Sequence, residues 1–362
     1  MRVTLVTAWY PHAADPVEGV FVARHAAALG LDHDVRVLHL SSRPVPAHDP
    51  ALDPARDPRV RHVHLDRRSP ASLARAQREV RAALRGADVL HTQVFPTLLA
   101  LLPLRPRPAV PWVHTEHWSG VSDPASAGPV WRRLAGLRRA LDRPDAVVAV
   151  SGYLADAVRP FRRDGRVAVV GNVVPAPPLV PPAPEPGPVL RLLAVGNLRP
   201  VKDPLLAVEV VAELVRRGRD ARLRWVGGGP LEAAVRERAA ALGVTGRVEL
   251  LGRRAPEEFA GEWAACDVFL LPSRHETFGV AGAEALAHGR PAVLGARGGA
   301  ADLAGPGAHL VASRAVADWA DAVQAAAAHP PDPALVAARV RARSSPAAVA
   351  AGFAAVHRDL GL

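Results

Sequence analysis

A single lysine, Lys202, stands in a chain of 362 residues whose lysines and arginines together number 45. Keeping the slim ammonium at one position, where arginine serves everywhere else, points to a need for a mobile point charge rather than a planar fork. Lys202 lies in Gly196-Asn197-Leu198-Arg199-Pro200-Val201-Lys202-Asp203-Pro204, after an apolar run and before a helical stretch. Strand, glycine-bearing loop and helix start is the order in which α/β proteins hold phosphates. Asp203-Pro204 reads as a helix cap with a first-turn proline.

The segment from Ser273 to Pro291 carries two carboxylates, Glu276 and Glu284. An apolar strand over 268–272 ends at Pro272, and Gly289 followed by Pro291 closes a helix predicted over 278–288, with Thr277 as its N-cap. The backbone N–H groups of Phe278, Gly279 and Val280 then lack intrahelical partners and can bind ligand oxygens. Helical geometry through both glutamates places them roughly 12 Å apart along the axis and about 80° around it. That separation excludes the paired-acid dyad of a hydrolase. It suits two carboxylates that accept hydrogen bonds from different hydroxyls of one extended ligand.

In the first half, a strand over 110–115 runs into His114-Thr115-Glu116-His117-Trp118-Ser119. This is the carboxyl end of a strand, where doubly wound sheets place ligands. Two histidines and a glutamate raise the question of a metal, but the spacing is not the helical i,i+4 of zinc proteases, and no metal site is expected. Alternation along an extended segment points His114 and Glu116 to the same side. Near the start, Gly19 opens a helix over 20–29 and is the candidate for close backbone approach to phosphate or sugar. Arg24 and His25 follow it, either reaching a site or facing water.

The elements that must position these residues alternate from end to end. Strands are predicted near 2–7, 35–40, 60–65, 88–92, 110–115, 146–150 and 167–170, then near 190–196, 222–227, 248–251, 268–272, 292–295 and 309–312. Amphipathic stretches over 204–217 and 230–242 lie between strands of the second set. Continuous apolar strands separated by helices imply parallel sheets covered on both faces. The proline run from Val174 to Pro188 cannot enter a sheet or helix interior and reads as a semi-rigid linker. The organisation expected is a Rossmann-like domain over 1–173, the linker over 174–188, a second Rossmann-like domain over 189–345, and a final helix over 346–362 that crosses back to the first. Two doubly wound α/β lobes facing a cleft is the fold class.

Composition narrows the classes further. Apolar residues make up 49% of the chain, enough for two cores. The net charge of +10 comes from arginines interspersed with acids, as in Glu232–Arg238, without like-charge blocks or an aromatic-basic stacking module. No nucleic-acid partner is therefore expected, whereas contact with an anionic membrane surface or an anionic substrate remains open. Cys266 is alone, which excludes an intramolecular disulfide and a cysteine metal site, and it reads as a small core residue. The first residues lack a signal-peptide pattern, and the apolar run Leu98–Leu104 is too short to span a bilayer. A cytoplasmic protein, peripheral on the inner membrane face at most, is expected.

Glu276-x7-Glu284 with Phe278-Gly279-Val280 between resembles the motif of retaining GT-B glycosyltransferases, especially the large family 4 of those enzymes. The loop carrying Gly196, Arg199, Lys202, Asp203 and Pro204 is similar at the matching distance. So are Trp225-Val226-Gly227-Gly228-Gly229 and Gly298-Gly299 followed by Asp302, where the family more often has glutamate. The resemblance covers nearly the whole chain. It implies a metal-independent transferase that takes a nucleotide-diphosphate sugar as donor, with no further cofactor. Arg199 and Lys202 would clamp the diphosphate, Glu284 would accept from the ribose hydroxyls, and Glu276 would sit against the sugar. Backbone N–H groups near Gly279 and Val280 would bind sugar or phosphate, Gly227 and Gly228 would pass close to the nucleotide, and His117 would lie near the transferred sugar. The loop Trp9–Phe21 replaces a glycine pair common in relatives, and the acceptor, a cell-envelope, lipid-linked or small-molecule glycan, is correspondingly open. A nucleotide-sugar epimerase on the same plan would need further acid/base groups. A nicotinamide oxidoreductase lacks its Gly-x-Gly-x-x-Gly after a first strand.

Overall fold

The computed structural model describes residues 1–45, 59–66, 68–102, 107–185 and 187–362. Pro103 and Leu104 of the apolar run and Pro186 of the proline run lie outside the described residues. Two compact units emerge, Met1–Val173 with Pro346–Leu362, and Val174–Ser345.

The first unit contains β1 (Arg2–Thr7), β2 (Asp34–Ser41), β3 (Val60–His64), β4 (Val89–Gln93), β5 (Trp112–Glu116), β6 (Ala146–Ala149) and β7 (Ala168–Val169). They form one parallel sheet in the order β3-β2-β1-β4-β5-β6-β7. The second unit contains β8 (Val189–Val195), β9 (Asp220–Val226), β10 (Val248–Gly252), β11 (Val268–Leu271), β12 (Ala292–Gly295) and β13 (Ala308–Val311). Its parallel order is β10-β9-β8-β11-β12-β13. Central strands are buried along their whole length, as in β4, β5, β11 and β12, whereas the edge strand β13 is half-exposed. That is why β11 and β12 read as continuous apolar runs, whereas β4 and β5 end on buried polar side chains, His91 to Gln93 and His114 to Glu116. All thirteen strands fall where the apolar runs predict them.

In each sheet the winding direction reverses once, between β1 and β4 and between β8 and β11. Ligands of doubly wound sheets bind beyond the carboxyl ends of strands at such a reversal.

The last helix, Pro346–Asp359, packs in the first unit against the helix Val20–Leu29. Phe353 is fully buried there, and His357 Nε2 meets His91 Nε2 of β4 at 2.8 Å. The expectation that the final helix returns to the first lobe holds. Within the second unit, carbonyls of the proline run are held by arginines: Arg290 donates to Pro182 O at 2.7 Å and Arg341 to Pro177 O at 2.7 Å. Cys266 is buried, and burial pushes its thiol up to about 12.

The first unit also buries histidines in contact with one another. His39 and His62 meet through their Nδ1 atoms at 2.9 Å, with His12 stacked on His39 at 5.9 Å. Burial holds His25 down at about 4, His39 at about 3 and His357 at about 4. An unfolded chain protonates these rings near pH 6.5, whereas the native fold resists doing so. Stability is therefore complete above that pH and is lost as the pH falls from 6.5 towards 4, by roughly 1.4 kcal/mol per unit for each such ring. Urea midpoints measured from pH 7.5 to 4.5 should fall steeply, and His39→Phe should flatten the slope. A flat profile for the native chain would refute the neutral burial of these rings.

Candidate active site

At the reversal in the second unit, the loop after β8 faces the loop after β11. Pro200–Lys202 forms a short 3₁₀ turn that ends at Asp203, which adopts a left-handed conformation with φ 47°. Lys202 Nζ donates to Glu276 Oε1 at 2.5 Å, and Ser273 Oγ donates to the same oxygen at 2.6 Å. The side chains of Lys202 and Glu276 are 23% and 15% exposed, so the pair is largely withdrawn from water. The lysine stem runs past Gly196, whose missing Cβ would lie 3.6 Å from Cε. Arg199 is exposed beside them and forms no ion pair among the described residues.

Asp203 differs from its expected role as a helix cap. It occupies the cap position of the helix Pro204–Arg216 but makes no side-chain capping bond. Its carboxylate pairs instead with Arg274, at 2.7 Å, and with Arg314. Arg314 also donates to Pro272 O at 2.9 Å, and Arg274 N donates to Val201 O at 2.8 Å. The loops after β8, β11 and β13 are thus tied together. The ties of Arg274 and Arg314 to Asp203 escape sequence reading because 71 and 111 residues separate the partners.

The helix expected from Phe278 begins later. Its N-cap is Gly279, left-handed at φ 89°, and the helix runs from Val280 to Ala287. Thr277 is therefore not the cap. Residues 276–278 instead lie along the loop after β12: Gly299 N donates to Glu276 O at 2.8 Å, and Glu276 bridges Gly298 in parallel. Glu276 thus precedes the helix and Glu284 lies within it, so the helical projection between the two carboxylates does not apply. The unpaired first-turn N–H groups shift to Val280, Ala281 and Gly282.

The glycines around these loops have a packing reason. A Cβ on Gly298 would fall 2.1 Å from Glu276 O, and one on Gly299 2.2 Å from Thr277 O. On Gly227, at φ 133°, it would fall 2.1 Å from Gly196 O, and on Gly229 2.6 Å from Leu198 O. Gly228 has ordinary room. Gly227 and Gly229 therefore let two loops of the chain touch each other.

The first unit gathers its own polar set. His117 follows β5, is 6% exposed, and meets Gln93 Oε1 of β4 through Nε2 at 2.8 Å. Its ring lies 5.1 Å from His25 and 4.6 Å from Phe21. His25 does not face water; it is fully buried, with Nε2 on Gly171 O at 3.1 Å. Burial, then the neighbouring His25 and His114, holds His117 well below its ordinary value. Gln93 and Asn172 complete this buried set, with Gln93 hydrogen-bonded to the His25 side chain and Asn172 to that of His117. His114 and Glu116 do lie on one side, at 3.3 Å. Glu116 Oε1 accepts from the backbone N–H groups of His117 and Trp118 at 2.9 and 2.8 Å, a structural role. Gly19, at φ 62°, caps the helix Val20–Leu29, and a Cβ there would meet Trp9 C and O at 2.5 Å, so its close approach is to the chain's own backbone.

Residues 190–329 match the family model described as glycosyl transferases group 1, and residues 19–176 match that of glycosyltransferase family 4. The chain belongs to the group 1, family 4 glycosyltransferases. D-inositol 3-phosphate glycosyltransferase of Gordonia bronchialis is 30% identical over 280 residues, 67% of this chain and 59% of the relative. That of Nocardia farcinica is 38% identical over 140 residues, 36% of this chain and 31% of the relative. 2-Deoxystreptamine glucosyltransferase of Streptomyces kanamyceticus is 33% identical over 182 residues, 48% of this chain and 46% of the relative. The chain thus spans less than two thirds of the length of these relatives. Sucrose-phosphate synthase from Thermosynechococcus elongatus superposes with TM-score 0.77 at 21% identity, covering 99% of both chains. HepE of Anabaena, solved with UDP and glucose, gives 0.78 at 18%, covering 99% of this chain and 100% of that one. The fold is GT-B, and membership of the family sets the nicotinamide reading aside.

The tight glycine packing is testable. Gly298→Ala combines a left-handed backbone with a clash against Glu276 O, and should destabilise the protein by about 2 kcal/mol or more. An unchanged guanidinium midpoint would show that the two loops can part freely.

Proposed function

We propose that the chain transfers a sugar from a nucleoside-diphosphate sugar to a hydroxyl-bearing acceptor, with retention at the anomeric carbon and without a metal ion. The observation that carries this reading is the Lys202–Glu276 ion pair across the reversal of the second sheet, with Arg199 exposed beside it. A diphosphate entering there takes the ammonium from the carboxylate, and Arg199 adds a second cation. Together they stabilise the charge that grows on the leaving phosphate, the role a divalent cation plays elsewhere. Released from Lys202, Glu276 can accept from sugar hydroxyls, while Glu284 accepts from the ribose and the first-turn N–H groups from Val280 receive ligand oxygens.

In the transfer, the bond from the anomeric carbon to the β-phosphate oxygen breaks and the acceptor oxygen bonds on the same face. The acceptor proton passes to the departing phosphate oxygen. No double-displacement nucleophile is needed. The acceptor falls to the first unit, where the polar set of His25, Gln93, His117 and Asn172 gathers at the carboxyl ends of β4 and β5. The relatives named for inositol phosphate and deoxystreptamine act on polyhydroxylated rings, and a cell-envelope or lipid-linked glycan has the same chemistry.

Lys202→Ala should lower turnover by about a hundredfold or more, as loss of a leaving-group stabiliser does; near-normal turnover would remove this electrostatic mechanism. Glu284→Ala should weaken donor binding by about tenfold with a smaller effect on the chemical step. Calorimetry with UDP-, GDP- and ADP-sugars measures this directly, and unchanged affinity would cancel the ribose assignment.

A further inference from the structure

A further surface lies on the segment Pro129–Asp142 of the first unit, packed on Trp118–Val121. Pro129–Leu134 is an α-helix that continues as a 3₁₀ helix over Ala135–Asp142. Trp131 faces inward: it is 8% exposed, its Nε1 donates to Gly120 O at 2.7 Å, and its ring lies 4.9 Å from Trp118. Arg138 is also turned in, with Nη1 on Val121 O at 3.0 Å and its guanidinium 4.4 Å from the centre of the Phe161 ring. These two anchors fix which side of the segment looks outward.

That outward side is apolar and cationic at once. Val130, Leu134 and Leu137, spaced i, i+4, i+7, are 70%, 48% and 39% exposed. Arg132, Arg133 and Arg139 are exposed beside them and form no ion pair among the described residues. From Pro124 to Leu141 the sequence has four arginines and no acid. Elsewhere, exposed large apolar residues such as Val17, Leu31 and Leu335 stand singly, the ordinary condition of a protein surface. Many of the arginines outside this segment are paired, as Arg163 is with Asp142 at 2.8 Å.

We propose that this face docks the protein on an anionic lipid bilayer. Unneutralised arginines are drawn to anionic headgroups, and three apolar side chains standing out between them can enter the shallow interface. A second copy of the chain fits poorly, because the same face opposed to itself sets arginine against arginine. A nucleic acid lacks an exposed stacking ring here, since Trp131 is buried. The inference is independent of the transfer reaction and of the identity of donor and acceptor.

Co-sedimentation with phosphatidylcholine vesicles, with and without phosphatidylglycerol, tests it. The full chain should bind the anionic vesicles about tenfold or more tightly than the neutral ones, and added salt should weaken that binding. Two variants, Arg132→Glu with Arg133→Glu and Arg139→Glu, and Leu134→Ser with Leu137→Ser, should each lose most of the binding at an unchanged melting temperature. Equal binding to both vesicle types, insensitivity to salt, or folded variants that bind normally would each overturn the proposal. So would a dimer by light scattering that Leu134→Ser dissociates while the native chain leaves the vesicles unbound.

Discussion

A half-buried ammonium–carboxylate pair joins the two loops at the reversal of the second sheet, and the geometry around it exists to hold that pair. Both charges are largely withdrawn from water, so neither is tolerable alone. Lys202 and Glu276 therefore hold each other in place, while Ser273 fixes the shared oxygen by a second bond. In the proposed transfer such a pair exchanges partners, since a phosphate oxygen can take the ammonium from the carboxylate as a charge-assisted acceptor.

Rigidity behind the pair comes from backbone meeting backbone. Gly295, Gly298 and Gly299 leave no room for a Cβ against the carbonyls of Ser273, Glu276 and Thr277. Gly227 and Gly229 do the same against Gly196 and Leu198. Asp203, gripped by Arg274 and Arg314, adds an ionic tie from the other side. A constellation whose main chain is fixed in this way needs little reorganisation when charge develops on a ligand, and that is where electrostatic catalysis gains most.

Much of this framework is legible in the residues alone: strands of a covered parallel sheet are rich in apolar residues, so the thirteen strands among the described residues show themselves without reference to their partners. The helix after Glu276 is less legible. Thr277 is a sound cap by local chemistry, but the backbone of 276–278 is drawn into pairing with Gly298 and Gly299, and the start moves to a left-handed glycine. The ion pair itself lies beyond local reading, because 74 residues separate Lys202 from Glu276. The buried histidines of the first unit are hidden for a similar reason. His25 and His117 stand 92 positions apart in sequence, and only the fold brings their rings to 5.1 Å.

The lone lysine can now be understood in physical terms. An arginine at 202 would face the same carboxylate with a planar fork and form a bidentate pair, geometrically specific and slow to give up its partner. Elsewhere in the chain that is the wanted behaviour: Arg191 grips Asp267 through Nε and Nη2 at 3.0 and 2.7 Å, and Arg216 grips Glu213 at 2.7 and 2.6 Å. At the reversal of the second sheet the proposed transfer calls for a single-point contact instead, one that can pass from carboxylate to phosphate. On the proposed transfer, arginine makes the ties that hold the fold, and the one lysine makes the tie that a diphosphate exchanges.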